Sequence, residues 1–240
     1  STLSKCTNAK VVTYSLENIK ANFIARNITY NSNGFPTFDV YHNNSFYKTI
    51  SLSVPGKHNV LNALSCIALC HSYGLDRSVM ADALKKFTGA HRRYEFVGTL
   101  HKTVNVYDDY AHHPTEILAV ANATKQKKHN KAWVIFQPHT YSRTQALLKE
   151  FADALSDFDN IIITDIYAAR EQNTYNISAR DLVDEINKRN GRRAIYMSDF
   201  QEIANFIRAH AINNDIVLTL GAGTVTNIGP MIIDHDEDQY

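Results

Sequence analysis

The stretch "VNVYDDYAHHPTE", residues 104–116, runs from an apolar, β-rich segment into two carboxylates, a tyrosine and two adjacent histidines, then a proline and a helix start. Strand, polar loop and helix in that order form one repeat of an α/β sheet. The same grammar continues outward. From about residue 91, "VNVYDD", "AWVIF", "NIIITD", "AIYMS" and "DIVLTLG" alternate with helical segments near 115–127, 143–156, 178–189, 200–211 and 224–233. Uninterrupted apolar strands separated by helices predict a Rossmann-like, doubly wound, mostly parallel sheet over residues 91–240.

In such a sheet the strand-to-helix loops share one edge, where ligands bind. Here those loops are "DDYAHHPTE" (108–116), "QPHTYSRT" (137–144), "TDIYAARE" (164–171) and "LGAGT" (220–224). Strand-to-helix loops are polar in any case, and Thr115 beside Pro114, with Ser142 or Thr144, suits helix starts. Asp108, Asp109, His112, His113, His139 and Arg143 exceed what capping needs, so a site is expected at this edge.

Before residue 90 the pattern differs. "VVTYSL", "NFIARNITY", "TFDVYHN" and "SFYKTISLSV" are short β runs, with turns at "NSNG" (31–34) and "HNN" (42–44). Two helices follow. In "KHNVLNALSCIALCHSYG", Val60, Leu64, Ile67 and Ala68 recur at helical spacing, and Gly74 suits a left-handed cap. In "LDRSVMADALKKF", Asp76 caps while Val79, Met80, Ala83, Leu84 and Phe87 form the expected buried stripe. Residues 1–90 read as the C-terminal portion of a larger α/β domain whose exposed faces want a partner.

Composition sets the bounds. The chain has 240 residues, 44% hydrophobic and 20% charged, with net charge +1, so no overall field draws it to nucleic acid or an anionic membrane. The basic run "KQKKHNK" (125–131) ends a helix, and no aromatics interleave it. Cys66 and Cys70, one helical turn apart, read as core packing in a reducing cytosol. No apolar run approaches the roughly 20 residues that span a bilayer. "STLSKCTNAK" carries no signal-like apolar segment and no initiator methionine, so a piece of something longer is expected.

Several chemistries compete for the site. Gly221 and Gly223 fit part of a dinucleotide fingerprint, but Thr226 takes the third glycine's place. "VPGKHN" (54–59) has one glycine and a histidine where a P-loop needs a hydroxyl, so no P-loop is present. Asp109, His112, His113 and His139 could in chemistry ligate a divalent ion, as in a metal-dependent phosphoesterase, though no CxxC or HExxH accompanies them. No nucleophile elbow appears, and no residue is assigned as catalytic or as a metal ligand.

"PGKHNVLNALSCIAL", "GAHRRYE", "DDYAHHPTE", "FQPHTYSRT", "TDIYAARE" and "LGAGT", in that order from about 55 to 224, resemble the Mur ligases, the ATP-dependent amino-acid-adding enzymes of peptidoglycan synthesis. The tripeptide-recycling ligase shares "HNxxN" and an Asp-aromatic-Ala-His-His-Pro loop, but "FQPHTYSRT" resembles the branch that adds L-alanine to UDP-N-acetylmuramate. The resemblance implies a C-terminal portion of the central ATP-binding domain (1–90) and a C-terminal amino-acid-binding domain (91–240). The N-terminal domains, P-loop lysine and most magnesium ligands would lie elsewhere, leaving the chain inactive by itself. It further implies ATP and Mg2+ as cofactors, small-molecule substrates, no membrane or nucleic-acid partner, and a cytoplasmic place. By the same resemblance Asn59 and Asn62 lie on the adenine side, Arg93 meets ATP, and Asp109 accepts from the ribose hydroxyls. Tyr110, His112, His139 and Arg143 match the L-alanine pocket, with His113 packing or orienting its neighbour. Thr140 departs from the family, which often has arginine there, and Arg92 reads as solvated. Glu171 and the Gly221–Gly223 loop receive no role.

Overall fold

The computed structural model describes residues 6–191 and 193–233; residues 1–5, which open the stretch read for a leader, lie outside them, as do 192 and 234–240. The chain divides into two compact units that part between Thr88 and Gly89. No helix among the described residues is long and apolar enough to cross a membrane.

The first unit is a four-stranded sheet in the order β1 (Tyr14–Ser15), β2 (Phe23–Tyr30), β3 (Pro36–His42), β4 (Ser45–Ser51). β1 pairs parallel with β2, and the other pairings are antiparallel. Asn43 and Asn44 both take positive φ, 48° and 66°, which gives the tight hairpin between the paired residues His42 and Ser45 its twist. Alternate residues of β3 are buried, so Phe38 and Val40 face α1 (Lys57–Ser72), whose Val60, Leu64 and Ile67 complete the core. Gly74 turns with φ +74° after α1, as its position implied.

α2 (Arg77–Lys86) corrects the reading of its stripe. Asp76 does cap it, accepting from the Ser78 and Val79 amides. Met80 is buried, but Val79, Ala83 and Phe87 are exposed and Leu84 is half-buried. Cys66 is likewise exposed, whereas Cys70 is half-buried and packs against the core. Periodicity finds residues that share a face but not what covers it. Here the face lines an apolar groove of about 450 Å³ between α1 and α2, floored by Leu52, Val54 and Ile67.

The second unit is a six-stranded sheet in the order β5-β6-β10-β7-β8-β9. These are β5 (Glu95–Leu100), β6 (Val104–Asp109), β7 (Ala132–Phe136), β8 (Asn160–Ile163), β9 (Ala194–Tyr196) and β10 (Ile216–Leu220). All pair parallel except β5, an antiparallel edge strand absent from the sequence reading. Every residue of β7 and β10 is buried. Successive side chains go to opposite faces. Val134, Phe136, Leu218 and Leu220 pack under α3 (Pro114–Lys125), α5 (Leu148–Leu155) and α6 (Ala179–Asn190). Trp133, Ile135 and Val217 pack under α7 (Phe200–His210) and α8 (Ile228–Ile233). The last strand is thus inserted between β6 and β7. At its start, buried Asp215 accepts from the Trp133 indole and the Asn130 amide, pinning it between its neighbours.

Two helices differ from expectation. The segment read near 143–156 is α4 (Tyr141–Ala146) and α5, broken at Leu147. The last one begins as a 3-10 turn (Thr224–Asn227) before α8.

Candidate functional site

The carboxyl ends of β6, β7, β8 and β10 share one edge because these strands are parallel. Their loops do not merely lie side by side. His139 and Tyr167 form a parallel bridge, with the Thr140 amide donating to the Tyr167 carbonyl (3.0 Å) and the Tyr167 amide to the Pro138 carbonyl (2.8 Å).

Asp108 and Asp109, adjacent on a strand, point to opposite faces and meet different partners. Asp108 is buried and accepts from Arg92 Nε at 2.7 Å and Thr219 Oγ1 at 2.6 Å. Arg92, with φ +56°, also donates through Nη2 to the Gly221 carbonyl at 2.6 Å. Its side chain is only 13% exposed, so the solvated reading of Arg92 is overturned: it ties the segment before β5 to the loop after β10. Asp109 is buried too, each oxygen taking one backbone N–H at 2.7 Å, from Tyr94 and from Ala111. Burial pushes its carboxyl from 3.8 up to about 6; the two N–H bonds and Arg93 oppose that, and Asp108 adds to it.

From Asp109 a row of side chains follows the edge. Exposed Arg93 lies 5.7 Å, and Arg92 5.0 Å, from the centre of the Tyr110 ring. Tyr110 meets His112 edge to face at 5.3 Å, His112 meets His139 at 5.7 Å, and His139 stacks on Tyr167 at 5.8 Å. Burial lowers the His139 pKa below the ordinary 6.5, helped by Arg143 and His112 and opposed by Glu171, so its ring is neutral near pH 7. His139 Nδ1 and Arg143 Nη1 are buried with no hydrogen-bond partner among the described residues. Buried donors and acceptors left unpaired are costly, which marks this end of the row as built to receive a polar group.

His113 is not in the row. Its Nδ1 accepts the Thr115 amide and Glu116 Oε2 accepts the His113 amide, a capping box with Pro114 at the first helical position. Thr115 is therefore not the cap, and the neighbour that the His113 ring engages is Thr115, whose hydroxyl lies 2.8 Å from its Nδ1. Neither Ser142 nor Thr144 starts α4, which begins after Thr140 with no capping side chain of its own. Asn59 and Asn62 belong to the first unit: Asn59 Nδ2 donates to the Pro55 carbonyl, Asn62 Nδ2 donates to Asn59 Oδ1, and both line the polar end of the apolar groove. The helix cap there is Gly56, not Asn59.

Two unassigned features acquire structural roles. A Cβ on Gly223 would lie 2.3 Å from Gln137 Oε1 and 2.7 Å from the Tyr167 ring, and one on Gly221 (φ +147°) would lie 2.8 Å from the Gln137 carbonyl oxygen. These glycines let the loop after β10 press against the other two. Glu171 accepts from the Ser142 amide (2.9 Å) and hydroxyl. Tyr167, Gln137 and Tyr94 escaped the sequence reading; nothing in spacing or composition separates them from ordinary loop residues. Among the described residues, no group of three or more His, Cys, Asp or Glu is arranged to hold a metal ion. What the row offers is a hydroxyl acceptor beside one guanidinium, and an imidazole beside another.

Comparison with known proteins gives this arrangement a family. The Mur ligase middle domain matches residues 2–70, and the Mur ligase, glutamate ligase domain matches residues 92–223. A UDP-N-acetylmuramate–L-alanine ligase from Caldanaerobacter subterraneus subsp. tengcongensis is 44% identical over 95% of this chain and 49% of its own length. Its counterpart from Clostridium acetobutylicum is 44% identical over 93% of this chain and 48% of its own. A solved UDP-N-acetylmuramate-alanine ligase from Thermotoga maritima superposes with a TM-score of 0.80 at 29% identity, covering 95% of this chain and 48% of that one. A murein peptide ligase from Psychrobacter arcticus shares the fold, with a TM-score of 0.62 at 22% identity over 92% of this chain and 45% of that one. The chain spans about half the length of these relatives. With residues 92–223 inside one Mur ligase domain and residues 2–70 inside another, the chain belongs to the Mur ligase family.

Proposed function

We propose that the complete protein is an ATP-dependent ligase joining L-alanine to UDP-N-acetylmuramate, a cytoplasmic step of peptidoglycan synthesis on which cell-wall biogenesis, cell shape and cell division depend. Residues 1–90 then supply the rear of the central ATP-binding domain, and residues 91–240 the amino-acid-binding domain. The observation that carries the reading is the row itself. It begins with Asp109 and Arg93 and ends with His139 and Arg143, whose buried Nδ1 and Nη1 lack partners. The relatives' names support alanine over a tripeptide, since two alanine ligases are 44% identical and a solved one 29%, against 22% for the solved murein peptide ligase.

The residues present fit a nucleotide. Each Asp109 oxygen keeps a lone pair after its backbone bond and can accept from a ribose hydroxyl. Arg93 is exposed and free to meet phosphate. In the first unit, an apolar groove ending in the amides of Asn59 and Asn62 suits the flat face and polar edge of adenine. ATP, when bound, supplies the phosphoryl group that activates the muramoyl carboxylate as an acyl phosphate. Arg143 pairs with the alanine carboxylate, while His139 and His112 add a donor or acceptor and Tyr110 walls the pocket. Their work is to orient the amine for attack and to exclude water from the activated carbonyl. No covalent nucleophile is required, and no residue of this chain is assigned to Mg2+.

Geometry weighs against the other classes. A phosphoesterase built on Asp109, His112, His113 and His139 loses His113 to helix capping. A dinucleotide module needs an open glycine loop, and here Gln137 and Tyr167 fill it. The test is direct: complete protein, ATP and UDP-N-acetylmuramate are mixed with L-alanine or with the cell-wall tripeptide, and products are read by mass. The alanine adduct is expected. The tripeptide adduct alone, or ATP consumption without either, contradicts the reading.

A further inference from the structure

The loop after β8 carries none of the expected substrate contacts, yet it grips the loop after β7 at several points. We infer that it is a template for that loop, and that Glu171 is a positioning residue for His139 and Arg143. The inference rests on the proposed reading that these two residues hold the amino acid.

α4 is six residues long and separated from α5 at Leu147, so continuation into a longer helix does not hold it in place. Its first turn has no acidic residue and no capping side chain. First-turn amides need acceptors, and a carboxylate at the positive end of a helix suits them. Glu171, from the next loop, fills the role by accepting from both the amide and the hydroxyl of Ser142. Those two bonds, with others to Thr140 and Tyr141, hold its carboxyl below the ordinary carboxylate range.

Thr140 sharpens the point. It sits at φ +66°, ψ 147°, a conformation that a β-branched residue disfavours and that persists only where the surroundings impose it. The surroundings do so here. Its amide donates to the Tyr167 carbonyl, its carbonyl accepts from the Thr144 amide and hydroxyl, and its hydroxyl lies 3.3 Å from Ser142 Oγ. This left-handed step lies between His139, stacked on Tyr167, and the short helix that carries Arg143. Removing the Glu171 carboxylate frees α4 to shift, and Arg143 with it, without touching the bound amino acid.

The experiment is steady-state kinetics on the complete protein carrying Glu171→Ala, Glu171→Gln or Arg143→Ala, varying L-alanine and ATP separately. Glu171→Ala is expected to raise the KM for L-alanine about tenfold or more, the scale at which a displaced positioning group is felt, with the KM for ATP within about twofold. Glu171→Gln, whose amide oxygen still accepts one bond, recovers part of the loss and carries the test if the alanine variant folds poorly. If both Glu171 variants leave the alanine KM unchanged, or raise the ATP KM equally, the template role is overturned. Arg143→Ala separates the two ideas. A raised alanine KM there with none at Glu171 sinks only the template, and an unchanged alanine KM in Arg143→Ala sinks the reading of the pocket as well.

Discussion

Asp108 and Asp109 show how much one position along a strand decides. The first is half of a buried ion pair with Arg92, at 4% and 13% side-chain exposure. Truncating one member leaves the other charge buried and alone, so Arg92→Ala should destabilise the chain by about 3–5 kcal/mol in urea unfolding, whereas a loss below about 1 kcal/mol would mean that water reaches the pair. Asp109 has only backbone N–H partners, and its carboxyl is raised from 3.8 to about 6. A carboxyl raised in the folded state contributes stability that is full below the unfolded value and is lost as pH rises through the folded one. Unfolding free energy measured against Asp109→Asn should therefore fall by about 3 kcal/mol in all between about pH 3 and 7 and be flat beyond. A difference independent of pH would contradict the burial argument. None of this was legible in "RRYE" or "DDY": adjacent like residues read alike until the left-handed turn at Arg92 sends its side chain inward.

At the scale of elements, the apolar runs declared β6, β7, β8 and β10 because a strand covered on both faces has no polar side to confuse the pattern, whereas β9, an edge strand with Ile195 exposed, stood out by its place between two helical segments. β5 escaped for the opposite reason. Its "EFVGTL" is a half-exposed edge with an outward Phe96, and no periodicity stands out. The stripe on α2 was seen, but its direction was not, since a repeat carries no information about what lies opposite. The positions of the four site loops followed from parallel strand order, whereas their mutual contacts did not. Gly223 tests those contacts. Its φ of −95° is not left-handed, and the plain objection to a side chain is the space taken by Gln137 and Tyr167. Gly223→Ala should cost about 1–3 kcal/mol by overpacking and displace Tyr167 from His139, visible as a changed His139 ring environment by NMR. Full stability with an unchanged ring signal would show the loops to be looser than described.

The molecule as a whole consists of two units, spans about half the length of its relatives, and contains no P-loop. The chain by itself should release no phosphate from ATP, because positioning without the phosphate-binding lysine and metal does not transfer a phosphoryl group; robust turnover by the purified chain would contradict this. Under the proposed function, the chain contributes an edge at which separate loops assemble one row of side chains, with one end for the nucleotide and the other for the amino acid. That division is tested most directly by measuring KM for ATP and for L-alanine in the complete protein carrying Asp109→Ala or Arg143→Ala. The predicted result is a crossover, Asp109→Ala raising mainly the ATP value and Arg143→Ala mainly the alanine value, each by about tenfold or more. Alanine kinetics that move with Asp109→Ala while ATP kinetics do not, or the two values rising together in both variants, would contradict it.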